Sequence, residues 1–336
     1  MATLAANALT IADVLKTIDP KGDAAMIAEV LNQTNAILDD IPWVEGNLIG
    51  GNRTSVRTSL PGVTARIANQ GNAATKSTSA QIDDAAACFE TKSEMDSLVA
   101  ETGGMGMVAK NRANEAMAHI EALGEKLSET LFYGSASVPE EFVGFANRYN
   151  TLSLTSTIIN NMIDAGGTGT DNSSIWLVNW GEGKVKGIYP RGTMGGLQRY
   201  DEGKVSIVDA TGIAGATFLG YREYFTWRCG LAVEDWRNVV RIANVDISNL
   251  VAKTSAADLF DLMISAIETI PNIESGRPVF YMNRTVRKML AIQARDDVQT
   301  GGQLTYMDVA GRRVLEFQGI PVRLVDKLTV TEATVV

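Results

Sequence analysis

The sequence predicts an α+β protein, and three observations carry that prediction. Strand and helix signals alternate through residues 151–336 without a strict β-α-β order. One long amphipathic stretch runs from 105 to 132. No internal repeat of solenoid or propeller period is present. At 336 residues, 45% hydrophobic and 21% charged, the chain is long enough for two sub-domains or one elaborate domain around a sizeable core.

Residues 1–48 read as helical but detached. Asp23 is placed to cap a helix whose apolar positions Met26, Ile27, Val30, Leu31, Ile37 and Leu38 recur at helical spacing. Asp39 and Asp40 set acids at its C-terminal end, against the helix dipole, and Pro42 ends it. Followed by Trp43, such a helix packs on its own core or lies across a neighbour.

From Gly50-Gly51 to residue 87 the composition shifts to Ser, Thr, Ala, Asn and Gln. Thr54 to Leu60 and Val63 to Asn69 are expected strands, joined at Pro61-Gly62 by a type II turn. Between 52 and 76 the only charges are Arg53, Arg57, Arg66 and Lys76. A hairpin of this composition cannot bury a core of its own. It is either a mobile surface loop or an intermolecular arm.

In the 105–132 helix, Ala113, Met117, Ile120, Leu123, Leu127 and Leu131 form one stripe. Its length is roughly 40 Å at the usual helical rise. Gly124 weakens it by about 1 kcal/mol relative to Ala, and Gly134 lies just past its end.

Beyond 151, Ile175 to Trp180 reads as a strand and Thr217 to Trp227 as a long aromatic one. From Trp227 to Asn249 the expected path is a strand, a tight bend at Cys229-Gly230, a second strand and a run into a helix. Ser255 with Asp258 resembles a capping box before a helix carrying Leu259, Phe260, Met263, Ile267 and Ile270, which Pro271 ends. Val279 to Met282 is a short buried strand, Asn283 a cap, and Val286 to Ala294 a helix. Val314 to Phe317 and Ile320 to Val325 make a hairpin over Gln318-Gly319.

Net charge is −9 with a pI near 4.9. Phosphate neutralisation drives nucleic-acid affinity, so tight DNA or RNA binding is not the expected activity. Cys88 and Cys229 form no metal or disulfide pattern and are expected as buried reduced thiols. The N-terminus lacks a basic leader, and no apolar run approaches the roughly 18 residues of a membrane span. A soluble protein made inside the cell is the expectation.

Chemistry is sparse. Gly104-Met-Gly106-Met-Val-Ala109 loosely matches a dinucleotide turn, but the polar Glu94 to Thr102 stretch before it is no buried strand. Helix-entry glycines are the better reading. His119, the one histidine, has no Gly-x-Ser-x-Gly elbow to serve. The doublets Asp39-Asp40, Asp83-Asp84 and Asp296-Asp297 cannot converge, because sequence neighbours point apart on a helix or a strand. Calcium-loop and phosphate-loop spacings are absent, and Gly181 to Lys184 reads as a turn between strands. No catalytic, cofactor-binding or metal-binding residue is expected.

A set of segments carries a resemblance through its order and spacing. They are Ile27 to Asp40, Trp43 to Asn47, Arg53 to Gly62, Leu131 to Gly134, Phe142 to Gly144, Trp227 to Asn249 and Gly319 to Val322. On these the chain resembles the major capsid proteins of tailed bacteriophages with the Hong Kong 97-type fold, the short-tailed podophage subgroup in particular. The resemblance implies an N-terminal arm over 1–48 and an extended loop over 49–90 that lies on a neighbouring subunit. It implies a peripheral domain from 91–150 and 311–336, with a spine helix at 105–132, and an axial domain at 151–310.

Inter-subunit contacts are then expected at Arg53, Arg57, Pro61, Gly62, Arg66 and Lys76 in the loop, and at Ile37, Leu38 and Trp43 in the arm. Trp227 and Trp236 are expected to pack in the axial framework, with Arg237 and Arg241 tying chain to chain or strand to strand. The implied partners are copies of the chain in hexamers and pentamers of an icosahedral shell. Separate scaffolding, portal and decoration proteins are further partners, and double-stranded DNA is held by non-specific proximity. The implied location is the virion, with assembly in the host cytoplasm. No aligned Lys–Asn pair points to a cross-link. Rival readings are a portal-adjacent or tail protein, and a nucleotide-binding enzyme using the Gly104–Ala109 turn.

Overall fold

The computed structural model describes residues 36–102, 105–153, 157–208, 215–254, 256–296, 304–309 and 312–336. In chain order the helices are α1 (Ile37–Asp40), α2 (Ser97–Ala100), α3 (Val108–Tyr133), α4 (Phe145–Arg148), α5 (Ile247–Ala252), α6 (Leu259–Thr269) and α7 (Arg284–Asp296). The strands are β1 (Trp43–Glu45), β2 (Gly51–Ser59), β3 (Thr78–Asp96), β4 (Met162–Asp164), β5 (Asn172–Trp180), β6 (Val185–Tyr189) and β7 (Leu197–Val208). They continue with β8 (Thr217–Val233), β9 (Val239–Asp246), β10 (Arg277–Met282), β11 (Leu304–Val309), β12 (Arg312–Phe317) and β13 (Ile320–Leu324). Among the described residues no helix is long and apolar enough to cross a membrane.

The described residues form two compact units. The larger takes 36–87, 128–195 and 229–336, and the smaller takes 88–127 and 196–228. The chain passes between them inside β3, α3 and β8.

The larger unit is organised by β5, all nine residues of which are buried. It runs antiparallel to both β10 and β9, and a strand covered on both faces needs apolar residues on both. Its period-two alternation therefore separates two cores. Ile175 and Leu177 join Phe280 and Met282 of β10 against Leu259, Phe260 and Met263 of α6 and Val286 and Leu290 of α7. Trp176 and Trp180, on the other face, meet Phe132, Phe145, Tyr149 and Tyr281 at ring separations of 5.7–6.5 Å.

One buried ion pair crosses these layers. The Arg241 guanidinium meets Glu332 Oε2 at 2.9 Å and donates to Ser174 Oγ at 3.0 Å and the Tyr149 carbonyl at 2.6 Å. It also lies 5.1 Å from the centre of the Trp176 ring. Glu332 in turn accepts the hydroxyls of Tyr133 and Ser174, each at 2.5 Å.

The smaller unit is a ribbon of β7 and the 217–227 part of β8, together with α2 and the first turns of α3. Met95, Val99 and Ala100 form a small core with Val108 and Tyr221. Glu223 is buried and held by both Arg112 and Arg199. His119 stacks on Phe225 at 6.0 Å, with its Nδ1 2.7 Å from the Thr91 hydroxyl.

Several expectations hold. The long helix runs from Val108 to Tyr133. The 312–324 hairpin turns with φ of 50° at Gln318 and 80° at Gly319, the left-handed pair that a two-residue hairpin loop requires. Asn283 caps α7 through the Thr285 N–H.

Others are corrected. There is no bend at Cys229-Gly230. β8 continues as one strand to Val233, and the turn comes at the short 3-10 segment Trp236–Asn238. Gly230 is needed for close approach instead: a Cβ there would lie 2.7 Å from the Ala85 carbonyl oxygen and 2.9 Å from the Ala86 Cα. Asp258 itself caps α6, accepting from the N–H groups of Phe260 and Asp261, and Ser255 lies outside the described residues. Cys88 is exposed, because strand alternation turns Phe89 inward on β3.

Residues 151–310 contribute to both compact units. The 196–228 segment groups with 88–127, because its ribbon packs Phe225 and Tyr221 there. β13 pairs with β10 and so belongs to the larger unit. On α3, Leu123, Leu127 and Leu131 are buried as the stripe predicts, but Met117 and Ile120 are exposed.

Gly230→Ala should destabilise the chain by about 1–3 kcal/mol through overpacking. Gly50→Ala, where a Cβ meets nothing within 4 Å, should stay within about 0.5 kcal/mol. Urea denaturation of the two variants side by side measures the difference.

Candidate functional site

The feature that stands apart from both cores is the β2–β3 hairpin. Its register runs from Gly51 opposite Ala85 to Ser59 opposite Thr78. The partner of β2 is therefore 78–85, not Val63 to Asn69 as the sequence suggested. Residues 60–77 form a long connection without a strand, and Pro61-Gly62 is its start rather than the turn. β3 also neighbours β8 in the sheet, on the side away from β2.

Every residue from Arg57 to Asp83 is exposed. These include Leu60, Val63 and Ile67, at 77%, 96% and 76% exposure. These side chains stay open in a fold whose other large apolar residues fill two cores. Arg53 makes a two-pronged contact with Asp83 at 2.6 Å on each arm, holding that carboxyl below the ordinary range. Arg57, Arg66 and Lys76 have no acidic partner among the described residues, so three of the four expected cations remain uncompensated.

The root of the hairpin is the opposite. A Cβ on Gly51 would sit 2.0 Å from the Asp84 carbonyl oxygen, and one on Gly46 would sit 2.2 Å from that of Gly51. Backbone lies directly on backbone there. Asn47 grips the backbone of Arg53 with both amide atoms, at 2.6 and 2.7 Å. Asp84 is buried and its Oδ1 meets Arg148 Nη2 at 2.7 Å. Beside it, Asn52 donates to Glu234, which pairs with Lys186 at 2.9 Å. The Asp83-Asp84 doublet thus splits as strand geometry dictates, one acid outward to Arg53 and one inward to Arg148.

Burial pushes the Asp84 carboxyl above its ordinary value, against the pull of Arg148 and the Val233 N–H. Burial does the same to Asp40, against Arg323 at 3.4 Å and the Tyr281 hydroxyl at 3.0 Å.

The arm residues turn inward. Ile37 is fully buried in the larger unit, Leu38 and Trp43 are half-buried, and the Trp43 ring covers Gly187 through the parallel β1–β6 pairing. Ile37 therefore offers no surface to a neighbour. Trp227 is half-buried opposite Leu197 in the smaller unit. Trp236 is half-buried, and its carbonyl accepts the Tyr149 hydroxyl at 2.6 Å. Arg241 ties strand to strand within the chain, whereas Arg237 is exposed and bonded to Asp235 two residues back. Sequence reading missed Arg148 and Glu332. Neither stands in a motif, and their roles depend on contacts 64 and 91 residues away.

The dinucleotide reading gains no support. α2 separates β3 from the 3-10 turn Met105–Met107, so strand, glycines and helix are not consecutive; Gly104 lies outside the described residues. Arg112 in the second turn of that helix, and Arg199, are both engaged by Glu223.

A family model described as major capsid protein GP7 matches residues 19–336. A chain in a near-atomic structure of bacteriophage Epsilon15 is 28% identical, with a TM-score of 0.80 over 100% of this chain and 99% of that one. A chain from the capsid of an empty GTA particle is 10% identical, with a TM-score of 0.45 over 70% of this chain and 99% of that one. A chain of Mycobacterium phage Bobi is 11% identical, with a TM-score of 0.41 over 69% and 97%. These two similarities are too weak to carry an argument. No curated protein matches.

The two raised carboxyls give a pH dependence with a definite sign. A folded carboxyl held above its unfolded value binds protons more readily than the unfolded chain does, so its contribution to stability rises as pH falls from neutral to about 4. Groups held below their ordinary value, such as Asp246 by the Asn249 N–H, begin to lose their contribution only from about pH 5 downward. The urea midpoint should therefore be higher at about pH 5.5 than at about pH 7. The Asp40→Asn, Asp84→Asn double variant should flatten that rise; an unchanged rise in the variant would mean that other groups set it.

Proposed function

The chain belongs to the major capsid protein GP7 family, and from that premise we propose that its projecting hairpin is the arm by which one subunit engages the next. The protein is a phage major capsid protein of the Hong Kong 97-type fold, with the structural role of a shell subunit. Its working partner is a further copy of itself, and its place is the virion.

The observation that carries the arm reading is the exposure of every residue from Arg57 to Asp83. A ribbon of two strands has no third layer on which to bury Leu60, Val63 and Ile67, so a neighbouring copy supplies it. Charge favours the same partner. Residues 52–76 carry +4, so the rest of a chain with net charge −9 carries −13. Attraction between this cationic tip and an acidic neighbour raises the encounter rate and disfavours tip-to-tip contact.

On this reading 1–48 is the N-terminal arm, 49–90 the extended loop and α3 the spine helix, with copies arranged as hexamers and pentamers around double-stranded DNA. Pro61 and Gly62 sit at the contacting tip, and Arg53 serves the ribbon itself through Asp83. Portal and decoration proteins are further candidate partners, a scaffold is either a separate protein or a removed segment, and assembly takes place in the host cytoplasm.

Replacing residues 60–77 by Asn-Gly, so that Ser59 turns directly into Thr78, tests the arm. The variant should keep its urea stability within about 1 kcal/mol, since exposed side chains contribute little and a shorter loop closes at lower entropic cost. Electron microscopy should show closed shells for the parent protein and none for the variant. Closed shells from the variant would sink the reading, as would an unfolded variant.

Reversing the tip charges, Arg57→Glu with Arg66→Glu and Lys76→Glu, should slow assembly. The defect should be largest at low salt and shrink as the Debye length falls below about 10 Å. Light scattering across a salt series follows it.

A further inference from the structure

A blade that touches nothing along its outer length takes its direction from its root. In the β2–β3 register, Asn52 and Asp84 face each other as one cross-strand pair. Each is held by a different charged group of the body: Asp84 by Arg148, and Asn52 by Glu234, itself paired with Lys186. Asn47 and the close backbone contacts at Gly46 and Gly51 seat the base of β2, and these two side-chain grips add to them. Two grips on opposite strands of the same rung fix its rotation as well as its position.

Arg148 is well placed for this. It ends α4, whose Phe145 is fully buried between Trp176 and Trp180, so its backbone is anchored in the aromatic core. Its guanidinium also donates to the Leu231 carbonyl of β8 and to the Val143 carbonyl, both at 3.2 Å. The side chain that meets Asp84 is thus braced from three directions. Buried ion pairs contribute little net stability compared with apolar residues of similar shape, because both charges are desolvated. What such a pair adds here is geometry: a charged hydrogen bond has a direction, and an apolar contact does not.

We propose that Arg148, with Asp84, is a positioning residue for assembly: the latch sets the angle at which the hairpin leaves the larger unit, and so which surface of the neighbouring copy its tip reaches. This rests on reading the hairpin as the inter-subunit arm. It predicts that the latch can be replaced without loss of fold but not without loss of correct assembly.

The test compares the full chain with its Asp84→Leu, Arg148→Met double variant, both in a Cys88→Ser background with spin labels at Thr58→Cys and Glu268→Cys. Urea denaturation, the label-to-label distance distribution in unassembled subunits, and electron microscopy of assembled material are read together. The expected result is a urea midpoint at or above the parent's, a broadened or displaced distance distribution, and loss of regular closed shells. An unchanged distance distribution overturns the proposal, as does a broadened one accompanied by regular shells at parental yield. Should the double variant not fold, Asn52→Ala releases the second grip with both ion pairs left in place. It too must broaden the distribution, or the proposal fails. Failure of the arm reading is distinguishable: there the 60–77 replacement would still close shells, whatever the distances show.

Discussion

A two-stranded ribbon offers no third layer in which to bury side chains, so whatever holds the β2–β3 hairpin has to act at its root, and the rest of the molecule answers to that demand. The root is built by leaving atoms out. At Gly46, Gly51 and Gly230 a Cβ would lie within 2.7 Å of a backbone oxygen, which lets three stretches of main chain stack directly. Close backbone packing resists bending in a way that interlocked flexible side chains do not. It also brings polar groups into a dry place, where each must find a partner. Asn52, Asp84, Arg148, Lys186 and Glu234 partner one another there, Asp84 through Oδ1 alone.

A stiff root is useful only on a stiff body. β5 gives the larger unit that property by feeding two separate cores from one strand, aliphatic on the helix-covered face and aromatic on the other. Arg241 and Glu332 then pin the aromatic face to the chain's 329–336 segment through Tyr133, Ser174 and Tyr149. α4 hangs from the same aromatic layer by Phe145, and α4 is where the hairpin's latch begins. Trp176, Phe145 and the Arg148 guanidinium thus form one packed series from the aromatic core to the hairpin root, all within the larger unit.

Much of this was legible in the sequence, for reasons that differ by element. The long helix declares itself because six apolar residues share one face, and the 312–324 hairpin because Gln318-Gly319 is chemically suited to left-handed backbone. The exposure of 57–76 was readable from what 52–76 lacks: acids, and enough large apolar residues to form a core. Pairing was not readable. Nothing local tells β2 to choose 78–85 over 63–69, since that choice follows from β3 being held by distant strands. Gly230 looked like a turn because glycine serves both turns and close approach, and only the position of Ala85 and Ala86 separates the two. Arg148 and Glu332 were invisible for the same reason: their meaning lies entirely in partners far along the chain.

Energetics explain why direction, rather than grip strength, is the property such a hairpin needs. Fully covering Leu60, Val63 and Ile67 is worth about 1.5–3 kcal/mol each. Immobilising one subunit against another costs about 4–15 kcal/mol. One arm alone therefore roughly breaks even, and a subunit joined by a single contact dissociates. That weakness is an advantage while a shell is being built, because misplaced subunits leave before they are trapped. Closure of a ring changes the arithmetic, since each later contact forms at high effective concentration, and that concentration collapses if the arm points the wrong way. A tip of modest affinity on a root of fixed angle thus lets only correctly placed subunits accumulate contacts. The same tip on a swivelling root would offer comparable affinity to right and wrong neighbours alike.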